Sequence, residues 1–438
     1  MQIRNIVAAF LLGSVTLLSW AELIRAESLE PPEFNAIQRT NTSTVLTLED
    51  AVARTLKNNP QLYQYRFRQK SLAAQRAISS LSPALLLGVE VENIAGSGDF
   101  DGVDSAETTL ALSSVIELGG KARSRVGLID AKGERLSFER QAATLNVLGQ
   151  LTALFIRCRS TQENIHLAEE AVTLSEGMLK TVERRAAKGA APEAEVMRAK
   201  AALTRAAIRL QALRSSFERQ KVTLSSFWGN TNPQFDELSG SLSTFSLSDD
   251  FSSLLQRAKA SPAIAIFASE ARLKDAEIKL AKAQSRVDIG WQLGVRRFEE
   301  TDDTALTAGI SIPLFSGKRN RSSIASALAE RNAVDYQQAD AMLKLHSRLF
   351  TAFSQRKENT AAVEQFNAHV LPALEKALAL TQEAYENGRY RYQEWIAAQE
   401  ELLTAKQQRI EAATAAQLNQ ALIEQLIAEP LSTNHLPY

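Results

Sequence analysis

One cysteine, four histidines and 6% aromatic residues are all that 438 residues offer in those classes, and neither charge is in excess, with Lys+Arg 50 against Asp+Glu 50. Each scarcity excludes something. The lone thiol, Cys158, makes no internal disulfide, and its place deep in a helical pattern leaves no cysteine for an N-terminal lipid; it is expected to pack as a small apolar side chain. His166, His346, His369 and His435 stand apart from one another and from Cys158, so none has metal-ligand spacing and no cofactor is expected. No catalytic constellation is present, which points away from an enzyme. The charge balance gives no case for nucleic acid. Past the first residues no apolar run approaches the roughly 18 residues of a transmembrane helix.

What is present begins with an address. Arg4 supplies a positive start, Ile6 to Leu18 an apolar core, and Ser19-Trp20-Ala21 or Ile24-Arg25-Ala26 a small-residue cleavage site, so residues 1–26 are expected to be a secretory signal peptide. A polar extension, 27–45, follows it.

The remainder says the same thing twice. Gly189, Val196 and Ala199 return as Gly388, Trp395 and Ala398; Asn59-Pro60 returns as Ser261-Pro262, and Gly120-Lys121 as Gly317-Lys318. The expected domains are a first repeat, 46–229, a connector, 230–248, rich in Asn, Ser, Gly and Pro, a second repeat, 249–428, and a tail, 429–438. In the first repeat Thr47-Leu-Glu-Asp50 predicts a capped helix, Pro60 opens a second, and Ser82-Pro83 ends it. Residues 120–188 lack proline and predict one very long helix, which turns at Gly189 to Pro192 and returns to about Phe227. The second repeat does likewise over 321–387, broken only by Pro372, turns at Asn387-Gly388 and returns to about Ile427.

Between the helices the period falls to two. Leu85, Leu87, Val89 and Val91 alternate with Glu90 and Glu92; Leu110 and Leu112 alternate with Thr109 and Ala111, giving a hairpin over about 85–116. A second hairpin, about 287–312, sets Ile289, Trp291, Leu293, Val295, Leu306, Ile310 and Ile312 against Gln292, Arg296, Thr307 and Ser311. Strands of roughly nine to eleven residues suffice to cross a membrane at a tilt, but four cannot close, and lipid tolerates no open edge. The hairpins therefore demand a ring of copies, with the apolar set facing lipid and Glu90, Glu92, Gln292, Arg296, Thr307 and Ser311 lining water. Period alone also allows a soluble sheet half buried against helices, and the helices alone an ordinary bundle. Asp302-Asp303 after Glu299-Glu300 reads as a solvated turn that could draw cations. Gly119-Gly120-Lys121 lacks P-loop spacing and reads as a strand-to-helix junction.

The order helix, helix, hairpin, long helix, glycine turn, long helix, given twice behind a signal peptide, resembles the TolC-like outer-membrane factors of Gram-negative bacteria from about Leu46 to Ile427. Val115-Ile-Glu-Leu-Gly-Gly-Lys121 and Ile310-Ser-Ile-Pro-Leu-Phe315 resemble segments of their CzcC-like heavy-metal efflux branch. The resemblance implies a mainly α protein with a membrane β-barrel: a homotrimer with one twelve-stranded barrel in outer-membrane lipid and a periplasmic α-helical barrel. It also implies a periplasmic adaptor (membrane fusion) protein and an inner-membrane RND pump as partners, and a heavy-metal cation as cargo, with drugs or secreted proteins the alternative. The turns would form the tip where the adaptor docks and the duct closes: Gly189, Pro192, Glu193 and Val196, with Gly388, Arg389, Tyr390, Glu394 and Trp395. Relatives that gate with aspartates at the second turn find no match here, which counts against a carboxylate gate and leaves Glu394 or Glu193 as the carboxylates that could serve. A periplasmic adaptor would show one hairpin flanked by β-rich modules, and a structural coiled coil would lack the period-two segments.

Overall fold

The computed structural model describes residues 45–245, 249–314 and 317–428. The expected signal peptide, most of the extension, the tail, Phe315 and His435 lie outside them.

Local chemistry sets each helix boundary. A two-residue strand, β1 (Val45–Leu46), precedes α1 (Leu48–Asn58), whose first turn is closed by Thr47 Oγ1 accepting from Asp50 N at 3.0 Å. Asn59 then does two jobs. Its Oδ1 caps α2 (Pro60–Ser80) by accepting from Leu62 N, and its Nδ2 donates to the Phe227 carbonyl at 2.8 Å. The long helix α3 (Lys121–Ala187) runs 67 residues, about 100 Å at 1.5 Å per residue, and α4 (Glu193–Ser226) returns along it. The Asn59 bond therefore sets α2 and α4 end to end on one flank of α3.

The second repeat follows with α5 (Phe251–Lys259), capped by Asp250, and α6 (Pro262–Gln284), which like α2 starts on proline. Next come α7 (Gly317–Gln365), a π-helical turn (Phe366–Val370), α8 (Leu371–Glu386) and α9 (Tyr392–Ile427). The π turn lies just before Pro372. Proline has no N–H to give, and its ring crowds the carbonyl four residues back, Ala368, so the widened turn keeps the helix going where an α turn would clash.

These helices do not share one oily stripe. Helix α3 lies against α2, α4, α6 and α9 in turn, and α7 against α6 and α9. Burial is accordingly a chain of separate clusters. One joins Leu46, Leu151, Phe155, Cys158, Phe217, Leu224 and Trp228; another joins Leu254, Leu345, Leu349, Ile423 and Ile427. A wholly buried leucine such as Leu151 contributes about 1.5–3 kcal/mol. Cys158 sits in the first cluster with its thiol pushed up to about 12 by burial, so it packs and does not react.

The strands are β2 (Leu86–Glu92), β3 (Glu107–Ile116), β5 (Ile289–Phe298) and β6 (Thr304–Ser311). At 7 and 8 residues, β2 and β6 fall short of the expected length. The chain turns early beside them, with positive φ at Asn93, Ala95 and Asp302. The two hairpins join through antiparallel pairing of β3 with β5, in register from Glu107 opposite Phe298 to Ile116 opposite Ile289, into one sheet of order β2-β3-β5-β6.

The connector is more than a loop. Its β4 (Glu237–Leu238) pairs in parallel with β1, and Phe235, Leu238 and Leu242 are buried. Arg159 Nε donates to the Gly240 carbonyl at 2.7 Å, while Gln417 Nε2 donates to the Thr244 carbonyl at 2.8 Å. Those two side chains stand on α3 and α9, so the segment belts the long helices of both repeats together.

Candidate functional site

Register decides which side chains share a face, because residues opposite one another across an antiparallel pair point the same way. Glu92, Glu107 and Phe298 are opposed; so are Glu90, Thr109, Arg296 and Ala305, then Gly88, Ala111, Gly294 and Thr307, and at the far end Gly290 and Ser311. Gln292 falls between Ser113 and Gly309. All six residues expected to line water thus stand on one face.

The other face carries Leu87, Val89, Val91, Leu110, Leu112, Trp291, Leu293, Val295, Leu306 and Ile310, with Thr108, Arg297 and Thr304 only in its last row, beside the hairpin loops. Leu306 is 87% exposed and Ile310 76%. A soluble sheet half buried against helices would have covered this face. It is bare instead, a contiguous apolar patch of the kind that marks a membrane or partner surface.

The polar face is knitted together across strands. Arg296 donates to Glu92 and Glu107, each at 2.7 Å, and to Thr109 Oγ1 at 2.9 Å. Two carboxylates sharing one guanidinium are held close despite their like charge. Gly294 lets the strands close on this face, since a Cβ there would meet the Leu110 carbonyl and Thr307 Oγ1 at 2.8 Å. Thr307 is half-buried, whereas Glu90, Gln292 and Ser311 are exposed.

Below the sheet, the segment Val115 to Lys121 turns strand into helix. Gly119 and Gly120 both take positive φ, and a side chain at Gly119 would strike Arg286. Glu117 accepts a fork from Arg125 at 2.5 and 2.9 Å, and Lys121 Nζ lies 2.6 Å from Asp288 at the foot of β5. The heptapeptide is a strand-to-helix joint held by these two ion pairs.

At the opposite end the two glycine turns are atom-for-atom equivalents. Gly189 N donates to the Ala186 carbonyl and Ala190 N to Arg185; Gly388 N donates to Tyr385 and Arg389 N to Ala384. Both glycines are left-handed, at φ 70° and 75°, the paired bonds of a Schellman stop. Each turn re-enters helix through an extended residue, Pro192 or Arg391, whose carbonyl accepts from Glu195 N or Glu394 N. The side chains differ between the copies. Val196 and Trp395 are both buried, in one cluster with Met178, Val182, Ala199, Tyr385 and Tyr392, so they hold the tip from within. Gly189, Pro192, Glu193, Gly388, Arg389, Tyr390 and Glu394 face outward.

The engaged carboxylate at the tip is Glu195, which reading the sequence passed over for Glu193 and Glu394. Tyr385 Oη donates to Glu195 Oε2 at 2.9 Å, linking the end of α8 to the start of α4. The Arg185 guanidinium lies 4.4 Å over the Tyr385 ring and donates to the Ala190 carbonyl at 3.3 Å. Trp395 packs against the same residue, its ring centroid 5.1 Å from that of Tyr385 and tilted by 32°. Farther from the tip, the buried Gln399 donates to Ser175 Oγ at 3.4 Å. Only the fold brings Tyr385 to Glu195; the one sequence signal was the position of Glu195, which answers to Glu394 in the repeat.

Burial, and then the bond to Glu195, raise the Tyr385 phenol from 10.0 to about 12. A raised folded value means the native state holds its proton more tightly. This stabilisation is complete below pH about 10 and is lost as pH rises through about 12. The expected result is a late phenolate step in an ultraviolet titration that Tyr385→Phe removes. A Tyr385 step at the ordinary tyrosine value would refute it.

Among the described residues no helix is long and apolar enough to cross a membrane, and no group of His, Cys, Asp and Glu is placed to hold a metal. Two repeats of long helices, each carrying a β-hairpin into one two-faced sheet, define the architecture of outer-membrane efflux channels. The chain belongs to the outer membrane efflux protein family, which matches residues 51–230 and 254–429. It is similar to the cobalt-zinc-cadmium resistance protein CzcC of Cupriavidus metallidurans, 23% identical over 299 residues, covering 68% of this chain and 72% of that one. It also resembles the nickel-cobalt-cadmium resistance protein NccC of Alcaligenes xylosoxydans xylosoxydans, 23% identical over 273 residues and 60% of each chain. In fold it matches the solved structure of CusC with a TM-score of 0.74 at 14% identity, over 90% of this chain and 95% of that one.

Proposed function

We propose that the chain is one third of a passive outer-membrane exit duct, whose sheet joins those of two further copies in a twelve-stranded barrel. The observation that carries this reading is the sheet itself. It has one bare apolar face, one charged face and two unpaired edges, β2 and β6, a combination that is stable in lipid only when other strands close the ring. The long helices, too polar to enter lipid, then continue the duct through the periplasm, and the glycine turns become its tip. There Glu193, Arg389, Tyr390 and Glu394 face the adaptor, while the Tyr385, Glu195 and Trp395 contacts hold the end closed.

The duct performs no reaction, and an RND pump in the inner membrane supplies the energy. Heavy-metal cations are the cargo in this reading, supported by the resistances for which CzcC and NccC are named. The hairpin loops add to it. Asp101, Asp104, Glu299, Glu300, Asp302 and Asp303 stand in the hairpin loops at the far end of the sheet, where Arg297 pairs with Glu299 and Asp302 and leaves the loops acidic on balance. Such a mouth concentrates cations within a Debye length of about 8 Å.

One experiment tests both levels. After fractionation, the protein is expected in the outer membrane, running at three times its monomer mass on an unheated gel. Its deletion beside an intact pump is expected to lower tolerance to cobalt, zinc or cadmium. A soluble monomer would overturn the duct, and unchanged metal tolerance with altered drug tolerance would overturn the cargo.

A further inference from the structure

The chain is neutral as a whole, but its charge is unevenly placed. Four joints connect strand and helix at the foot of the sheet, residues 77–87, 113–129, 278–291 and 309–329, and together they hold nine Lys and Arg against two acids, Glu117 and Asp288. Both acids are spent within the chain, on Arg125 and Lys121. The next acids down the helices, Asp130, Glu277 and Glu330, are paired as well. Arg123, Lys279, Lys282, Arg286 and Arg321 are exposed and form no ion pair among the described residues.

Two helices begin in this band, and both begin against their own dipole. A helix N-terminus carries about half a positive charge, which favours Asp or Glu in the first turn. Helix α3 opens Lys121-Ala-Arg123 and α7 opens Gly317-Lys-Arg-Asn-Arg321, neither with an acid. An anion from outside the chain would offset that repulsion. Above the band lies an apolar rim. Ile116, Leu118, Val287, Ile312 and Leu314 are exposed where the strands give way to helix, and they continue the bare face of the sheet. Charge directly beneath such a girdle lies at the depth of lipid headgroups, a layer about 5–7 Å thick beside the hydrocarbon. Lys282 and Arg286 flank the end of α6, while Arg123 and Arg321 stand in the first turns of α3 and α7, so a rise of about 1.5 Å per residue keeps all four near that layer. Long basic side chains placed there lay their stems on apolar surface and carry the charge to the interface.

We propose that this basic band binds the phosphodiester headgroups of anionic phospholipid in the leaflet on the helical side of the membrane, through Arg123, Lys282, Arg286 and Arg321. The proposal rests on the duct reading, which puts the apolar face in lipid, and adds which lipid that face selects. Charge complementarity and continuity with the apolar face carry it. The hairpin loops at the other end of the sheet are acidic on balance, so only the helical end attracts anions.

Trp291 supplies the test. It stands on the apolar face, one row above the last pair of β3 with β5, Ile116 and Ile289, whereas Trp228 and Trp395 are buried among the helices. The full chain is inserted into phosphatidylcholine vesicles carrying either brominated phosphatidylglycerol or brominated phosphatidylcholine, and quenching of tryptophan fluorescence is compared. The expected result is a preference of at least about fivefold for phosphatidylglycerol, the attraction of roughly one basic residue at a membrane surface. High salt is expected to abolish it. The combined variant Arg123→Gln, Lys282→Gln, Arg286→Gln and Arg321→Gln is expected to be quenched equally by both lipids. Equal quenching of the unsubstituted protein, or an undiminished preference in the variant, would overturn the proposal. A preference indifferent to salt counts against it as well, and that measurement needs no variant. A variant that keeps its lipid preference but shifts its reversal potential in a potassium chloride gradient would move these charges into the duct and defeat the lipid site. No quenching of Trp291 by either lipid would instead remove the duct reading, because the apolar face would then lie outside lipid.

Discussion

Leu293→Arg is expected to strip the protein from the outer membrane, while Gln292→Arg, one residue earlier on the same strand, leaves it there. The two positions differ only in the face they present. Leu293 lies midway along β5 on the bare apolar face, opposite Leu112 and Ala308, and Gln292 lies on the charged face between Ser113 and Gly309. An arginine facing lipid near the bilayer midplane costs about 2 to 4 kcal/mol, and in the proposed ring every copy would bear it. On the water-lined face the same side chain stays hydrated. Membrane fractionation of the two variants reads the difference directly. Equal insertion would mean that the apolar face meets something other than lipid.

Trp395→Ala is expected to open the tip far more than Val196→Ala, though the two residues occupy the same place in their repeats. Both are buried in one cluster, but Trp395 packs against Tyr385 and so braces the phenol that reaches Glu195. Truncating a buried tryptophan costs about 3–5 kcal/mol. Val196→Ala removes two methyl groups at about 0.8 kcal/mol each. Conductance through single channels in planar bilayers is the measure, with a raised resting conductance for Trp395→Ala and a near-native one for Val196→Ala. Equal conductance would remove the asymmetry between the turns. Adaptor binding, measured on the same variants, should fall in the same order, because the outward residues Arg389, Tyr390 and Glu394 ride on the turn that Trp395 supports.

The legible parts of this fold were those written in short spacings. Period two marked the strands and sorted all six polar positions onto one face, since alternation survives any register that keeps the pleat. Gly189 and Gly388 were legible as helix stops because a left-handed residue closes a Schellman turn. What escaped depends on residues far apart in the chain. Nothing in either hairpin says that β3 pairs with β5, and nothing near Glu195 says that Tyr385 will stand beside it. In the connector, Ser, Asn and Gly gave no hint of anchoring, because Phe235, Leu238 and Leu242, too sparse to show a period, pack it against both repeats. The expectation of a trimer, an adaptor and a pump rests on family resemblance, and no spacing in the chain encodes it.

The π turn before Pro372 also settles an account of length. The second long stretch, Gly317 to Gly388, is two residues longer than the first, Gly120 to Gly189. In an uninterrupted α-helix that surplus would rotate the second turn by about 200° and lower it by about 3 Å relative to the first. A π turn takes up one of those two residues without a full step of rise, which halves the offset. Met178 and Val182 of the first arm can therefore meet Tyr385 and Trp395 of the second in one cluster. Two copies that have drifted in length still finish together, and a closed end needs both arms to arrive at once.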